Sequence, residues 1–115
     1  MKSVRIPLAV ALGVFAVGAV AHHGWSGYDT KLVPVEGTIE SSSYANPHGT
    51  ITLKTADATW NVVLAPPWRM ESRGLSREML QPSTAAKVEG YVHLKDKSEM
   101  RAERITIDGK TVELR

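Results

Sequence analysis

The chain has 115 residues, with 14 Lys and Arg against 12 Asp and Glu, four histidines and no cysteine. So even a balance offers no basic footprint for nucleic acid, and the lack of cysteine excludes disulfides and thiolate metal sites. The length sets the scale at one small domain with a modest core.

The first 21 residues read as a secretory signal peptide. Lys2 and Arg5 make a positive start, an apolar stretch runs from Ile6 to Val20, and Ala19-Val20-Ala21 supplies the small residues of a cleavage site. That stretch is shorter than the about 20 residues a membrane-spanning helix needs. Cleavage after Ala21 would remove Lys2 and Arg5 and leave a formally neutral chain of 94 residues, exported to the periplasm. The expected organisation is therefore a leader over 1–21, an N-terminal arm over 22–31 and a folded domain over 32–115. No membrane association is expected once the leader is gone.

In the arm, Trp25 and Tyr28 are candidates to anchor the chain on the domain. From residue 31, Val33, Val35 and Ile39 alternate as on a half-buried strand. Pro34 belongs at that strand's start or at an edge, Gly37 permits a bend, and "ANPHG" (45–49) is turn chemistry. "TITLKT" (50–55) and "ATWNVVLA" (58–65) form a hairpin pair around Ala56-Asp57, with Trp60 a packing residue. Pro66 and Pro67 then open a short helix, where a missing N–H costs nothing, and Gly74 ends it. Trp68 on that helix is a candidate cap for an open barrel end. Ser76 reads as the N-cap of a second turn that Pro82 stops. In the same segment Arg73 and Arg77 have the spacing of one helical side, an anion site or, more simply, a solvated charged face.

"AAKVEGYVHL" (85–94) and "MRAERITID" (100–108) return to alternation, and Asp108-Gly109 is a two-residue hairpin signal before "KTVELR". In the last long strand Glu99, Arg101 and Glu103 share one face and Met100, Ala102 and Arg104 the other, so neither is cleanly apolar. Met100 is read as core, with a soft copper ligand as the alternative. Three strands, a short helix and two further strands with a small C-terminal one predict an all-β fold: an OB-like β-barrel of five to six strands, with one short helix between strands three and four. A two-layer β-sandwich is the alternative.

The strings "AHHGWSGYD", "NPHG", "WNVVLAPPWRMESRGL", "VEGY" and "EMRAERITIDGKTVELR" resemble domain-of-unknown-function family 6152, a family of small exported bacterial proteins. The resemblance covers essentially the whole chain after the leader and implies a periplasmic setting and a small β-barrel; it brings no activity. One departure concerns a turn: Pro82-Ser83 stands where Pro-Gly is usual.

Function must then come from the residues. Cleavage after Ala21 makes His22 an N-terminal histidine, whose α-amine and ring Nδ1 can chelate one ion, and a further imidazole would complete a three-nitrogen T. Nitrogen ligands in tetragonal geometry suit Cu(II), and the α-amine, titrating near about 7.7–8.0, competes weakly with it at neutral pH. The opposing imidazole is His48 in "NPHG", with His23 and His93 as further candidate ligands. A cut after Ala19 would instead leave histidine third, a terminal chelate that needs nothing from the fold. The competing reading takes His22 and His23 as a polar chain start, His48 as a turn residue bonded to its own backbone and His93 as a solvated strand end. No nucleophile elbow, zinc-protease helix motif or phosphate loop is present, so no enzyme is expected. The sequence supports a periplasmic metal-binding module, copper foremost, with a non-enzymatic binding or assembly module for a protein, peptide or small ligand as the alternative.

Overall fold

The computed structural model describes residues 25–115. The proposed leader, the cleavage site, His22 and His23 lie outside the described residues. The elements in order are β1 (Val33–Ser43), β2 (Thr50–Lys54), β3 (Thr59–Val63), a helix α1 (Pro67–Ser72), a 3₁₀ turn (Arg77–Leu80), β4 (Ala85–Val92), β5 (Glu99–Ile107) and β6 (Lys110–Glu113).

β1 serves two neighbours. Its first half pairs antiparallel with β4, from Val33↔Gly90 to Thr38↔Ala85, and its second half with β2, from Thr38↔Lys54 to Ser43↔Thr50. A bulge between Ile39 and Ser41 accompanies the handover. Pro34 lies in the half that faces only β4, where a missing N–H costs no second ladder bond. Gly37 lies next to the handover, and a Cβ there would run into the Lys54 carbonyl oxygen well inside contact distance. The bend expected at Gly37 is thus a close backbone approach that only glycine admits.

β2 and β3 form the expected hairpin. A parallel pairing of β3 with β5, Asn61↔Glu99 to Val63↔Arg101, closes the sheet, and β4 joins β5 back to β1. The result is a closed five-stranded barrel with β6 added on β5: the OB-like architecture expected, and not a sandwich. Asp108 and Gly109 turn β5 into β6 with φ of 52° and 78°, the positive values a two-residue hairpin needs.

The core gathers Ile39, Leu53, Val62, Val88, Met100 and Ile105. Met100 is core, as preferred above. Pro66 and Pro67 open α1 and Gly74, at φ 87°, follows its end. Ser76 occupies the N-cap position of the 3₁₀ turn, though its side chain makes no capping bond. The segment turns Met70, Leu75 and Leu80 into the core. Trp68 does not cap the barrel: it is 64% exposed, and Met70 points inward instead. Arg73 and Arg77 share no helical side because α1 stops at Ser72. Arg73 Nη1 donates to the carbonyl oxygens of Glu113 and Arg115, at 2.8 and 3.1 Å, while Arg77 lies over the Tyr44 ring.

Candidate functional site

Strand register explains why distant residues meet. Ser43 pairs with Thr50, Thr50 with Val63, Val63 with Arg101 and Arg101 with Tyr91. This row crosses β1, β2, β3, β5 and β4 at one end of the barrel. Its neighbours Val62 and Met100 face the core; by the two-residue period, Val63, Arg101 and Tyr91 stand on the outer face. The β1–β2 turn carrying His48 leaves β1 at the row's first member. Gly49 fixes its exit: Gly49 N donates to the Ala65 carbonyl and Leu64 N to the Gly49 carbonyl, both at 2.8 Å.

The arm covers that outer face. Tyr28 and His93 form an antiparallel bridge, flanked by Asp29 N to the Val92 carbonyl at 2.8 Å and Leu94 N to the Gly27 carbonyl at 2.9 Å. Gly27 belongs here for lack of space, since a Cβ would lie 3.0 Å from His93 Nε2. Trp25 meets Tyr91 edge-on, ring centres 5.8 Å apart, and lies 4.4 Å from the guanidinium carbons of both Arg101 and Arg115. Trp25 and Tyr28 therefore do anchor the arm.

Beneath the arm three polar side chains are withdrawn from water: Arg101 is 5% exposed, His93 6% and Glu99 8%. The Tyr28 hydroxyl donates to Glu99 Oε2. Burial pushes the Tyr28 phenol well above its usual value, and the bond to the Glu99 carboxylate raises it further. Arg101 Nη2 lies 3.2 Å from His48 Nε2. Burial draws the Arg101 guanidinium below its usual value; Arg69 and Arg115 push the same way, while Tyr28 and Glu99 oppose them. The group remains a cation. A guanidinium has no acceptor to offer, so His48 Nε2 accepts and the proton of the neutral ring sits on Nδ1.

The β1–β2 turn and the end of β4 thus set the two described histidines against neighbouring parts of β5, His48 against Arg101 and His93 beside Glu99. His93 is no solvated strand end. Its ring lies edge-on to Tyr28 at 5.0 Å, and its Nδ1 accepts from the backbone N–H groups of Lys95 and Asp96, at 3.1 and 3.0 Å. Nor does His48 serve its own turn; its bond reaches β5. Among the described residues no three His, Asp or Glu side chains come close enough together to hold a metal ion. Among them, too, no helix is long and apolar enough to cross a membrane.

Sequence reasoning passed over Glu99 and Arg101 as site residues. The signal was present: β5 has no cleanly polar face, and an aromatic-rich arm needs a surface to cover.

A family of unknown function, DUF6152, matches the chain over residues 10–102. That span holds the arm, both histidine-bearing loops and the Glu99–Arg101 stretch, and ends before β6. Comparison with curated proteins found no match. The family match extends over most of the chain, through β4 and into the start of β5, and the protein belongs to DUF6152.

Proposed function

We propose that this protein is a non-enzymatic, exported metal-binding module whose ion is copper, held by the α-amine and ring of His22 after cleavage at Ala21 and by the imidazole of His48. His23 and His93 are the supplementary donors. The carrying observation is the chain of contacts from the arm to the first loop: Trp25 stacks on Arg101 at 4.4 Å, and Arg101 reaches His48 at 3.2 Å. His22 and His23 precede Trp25 by three and two residues, and three residues of chain span at most about 11 Å. From an anchored Trp25, that length of chain would let a freed His22 amine approach His48. The described barrel supplies no three-residue donor group of its own, so in this reading the N-terminal residue completes the site. Barrels of this architecture also bind ligands between their β1–β2 and β4–β5 loops. His48 stands in the first and His93 at the base of the second.

A second reading takes the same face as a docking site for a protein, peptide or small ligand. Trp68, exposed on α1, would be one apolar contact for such a ligand.

Native mass spectrometry on protein processed in a bacterial periplasm separates the two, with one equivalent of Cu(II) added. The expected mass begins at His22 and retains one copper, which His48→Ala loses and which one extra residue before His22 also abolishes. Copper held equally well by His48→Ala points to His93 or to a simple terminal chelate, copper held equally well after the added residue detaches the site from the His22 amine, and no retained copper rejects the metal reading.

A further inference from the structure

Two indole rings flank the end of β6, and each carries an arginine. The Arg69 guanidinium carbon lies 5.3 Å from the centre of the exposed Trp68 ring, and that of Arg115 lies 4.4 Å from Trp25, which also holds Arg101. The three cations are neighbours. Arg69 Nη1 donates at 3.1 Å to the carbonyl of Leu114, the residue before Arg115, and Arg69 and Arg115 both act on the Arg101 guanidinium as like charges. A chain formally neutral after its leader thus gathers cations at this one place. The carboxylates of β5 and β6 are already engaged. Glu99 accepts from Tyr28, Glu113 holds Arg104 at 2.9 Å, and Glu103 is divided between the Tyr91 hydroxyl at 3.1 Å and Arg115 Nη1 at 3.6 Å. On α1, Glu71 acts on the Tyr44 phenol.

Stacking on an indole uses the face of a guanidinium and leaves its N–H edge available, the fork that matches the oxygens of a phosphate or carboxylate. Arg69 and Arg115 use only Nη1 on protein oxygens; among the described residues their Nε and Nη2 groups meet no acceptor. Arg101 differs, being 5% exposed and bonded to His48, so it contributes charge and not contact. We propose that Arg69 and Arg115 bind a phosphate group, with the buried Arg101 adding to the attraction. Two forks and three positive charges suit a tetrahedral dianion, which offers three strong acceptor oxygens, better than a carboxylate with one pair and one charge. Free phosphate and the headgroup of an anionic lipid share this chemistry. The pair suggested by spacing alone, Arg73 and Arg77, is not the pair that the fold brings together. This site uses neither His22 nor His48, so it stands or falls independently of the copper reading.

The test follows the Nε–H resonances of Arg69 and Arg115 in periplasmically processed protein while sodium phosphate replaces sodium chloride at constant ionic strength. Both resonances are expected to move along one saturating curve, and the thermal midpoint to rise with phosphate. Hydrogen bonds to charged groups predict roughly tenfold to a hundredfold weaker phosphate binding for Arg69→Gln and for Arg115→Gln. Arg77→Gln, over the Tyr44 ring, stays at the wild-type value. Sedimentation with phosphatidylglycerol or phosphatidylcholine vesicles separates the sources. Capture by phosphatidylglycerol alone, lost in Arg115→Gln, assigns the lipid headgroup; saturation by phosphate without capture assigns the free anion. No saturable phosphate response together with no vesicle capture overturns the inference, as does binding that both Gln variants leave unchanged. Arg69→Gln also removes the bond to Leu114. Should it fail to fold, Arg115→Gln decides alone, at a side chain that is 53% exposed.

Discussion

Ser83 shows how much one side chain can disagree with its backbone. It follows Pro82 in a turn closed by Thr84 N donating to the Gln81 carbonyl at 3.3 Å, and its φ is 72°. Proline then positive φ is the order of a type II turn, whose second central position favours glycine. The departure noticed in the sequence, Pro82-Ser83 for Pro-Gly, is thus a left-handed conformation imposed on a residue with a Cβ. Ser83→Gly relieves that strain but adds freedom to the unfolded chain. The net expectation is about 0.5–1 kcal/mol of added stability, read as a thermal midpoint a few degrees higher; an unchanged or lower midpoint would refute it. His93 teaches the complementary lesson. Its place at a strand end was legible, but its burial was not, because the cover comes from Tyr28 at the other end of the chain. No local pattern near residue 93 reports such a partner.

The elements themselves were legible where a residue's backbone preferences are unusual. Pro66-Pro67 fix φ at values that suit a helix start, while Gly74 and Asp108-Gly109 tolerate the positive φ that a helix end and a two-residue hairpin need, and the structure uses all of them. β5 was harder, since it serves three neighbours, with a core face broken by a register shift opposite Glu89 and Gly90. The bend of β1 gives the sharpest test of the barrel's closure. Gly37→Ala pushes a methyl group into the Lys54 backbone, which cannot yield without shifting β2 against β1. Overpacking of this kind costs about 1–3 kcal/mol or more. A chemical denaturation midpoint that stays at the wild-type value would show that the approach is looser than described.

For the molecule as a whole, the arm ties the two ends of the chain together: Tyr28 and Glu99 are separated by 71 residues and joined by one buried hydrogen bond. Burial raises the phenol of Tyr28, with Glu99 adding to it, and burial raises that of Tyr44 in the same direction. Unfolded tyrosines ionise near about 10. Above that pH the unfolded chain releases protons that the folded chain keeps, so the stability held below pH 10 is lost as the solution becomes more alkaline. Denaturation followed across that range should show a steep alkaline fall, flattened in Tyr28→Phe, whereas an equal slope in the variant would detach Tyr28 from the effect. The barrel was legible from strand count and order; the polar site was not, because it exists only where the arm, a turn and two strands converge.

The contacts of Arg73 carry a further consequence. Among the described residues β6 pairs with β5 alone, and Leu114 N bonding back to the Glu103 carbonyl sets which groups turn the other way. The carbonyls of Glu113 and Arg115 face outward, and Arg73 already occupies both. An unsatisfied strand margin is a template on which a second molecule can add its own strand and begin an aggregate. Here Arg73, the residue that follows α1, lends one guanidinium to blunt the C-terminal end of that margin, where a second copy would otherwise find free carbonyls.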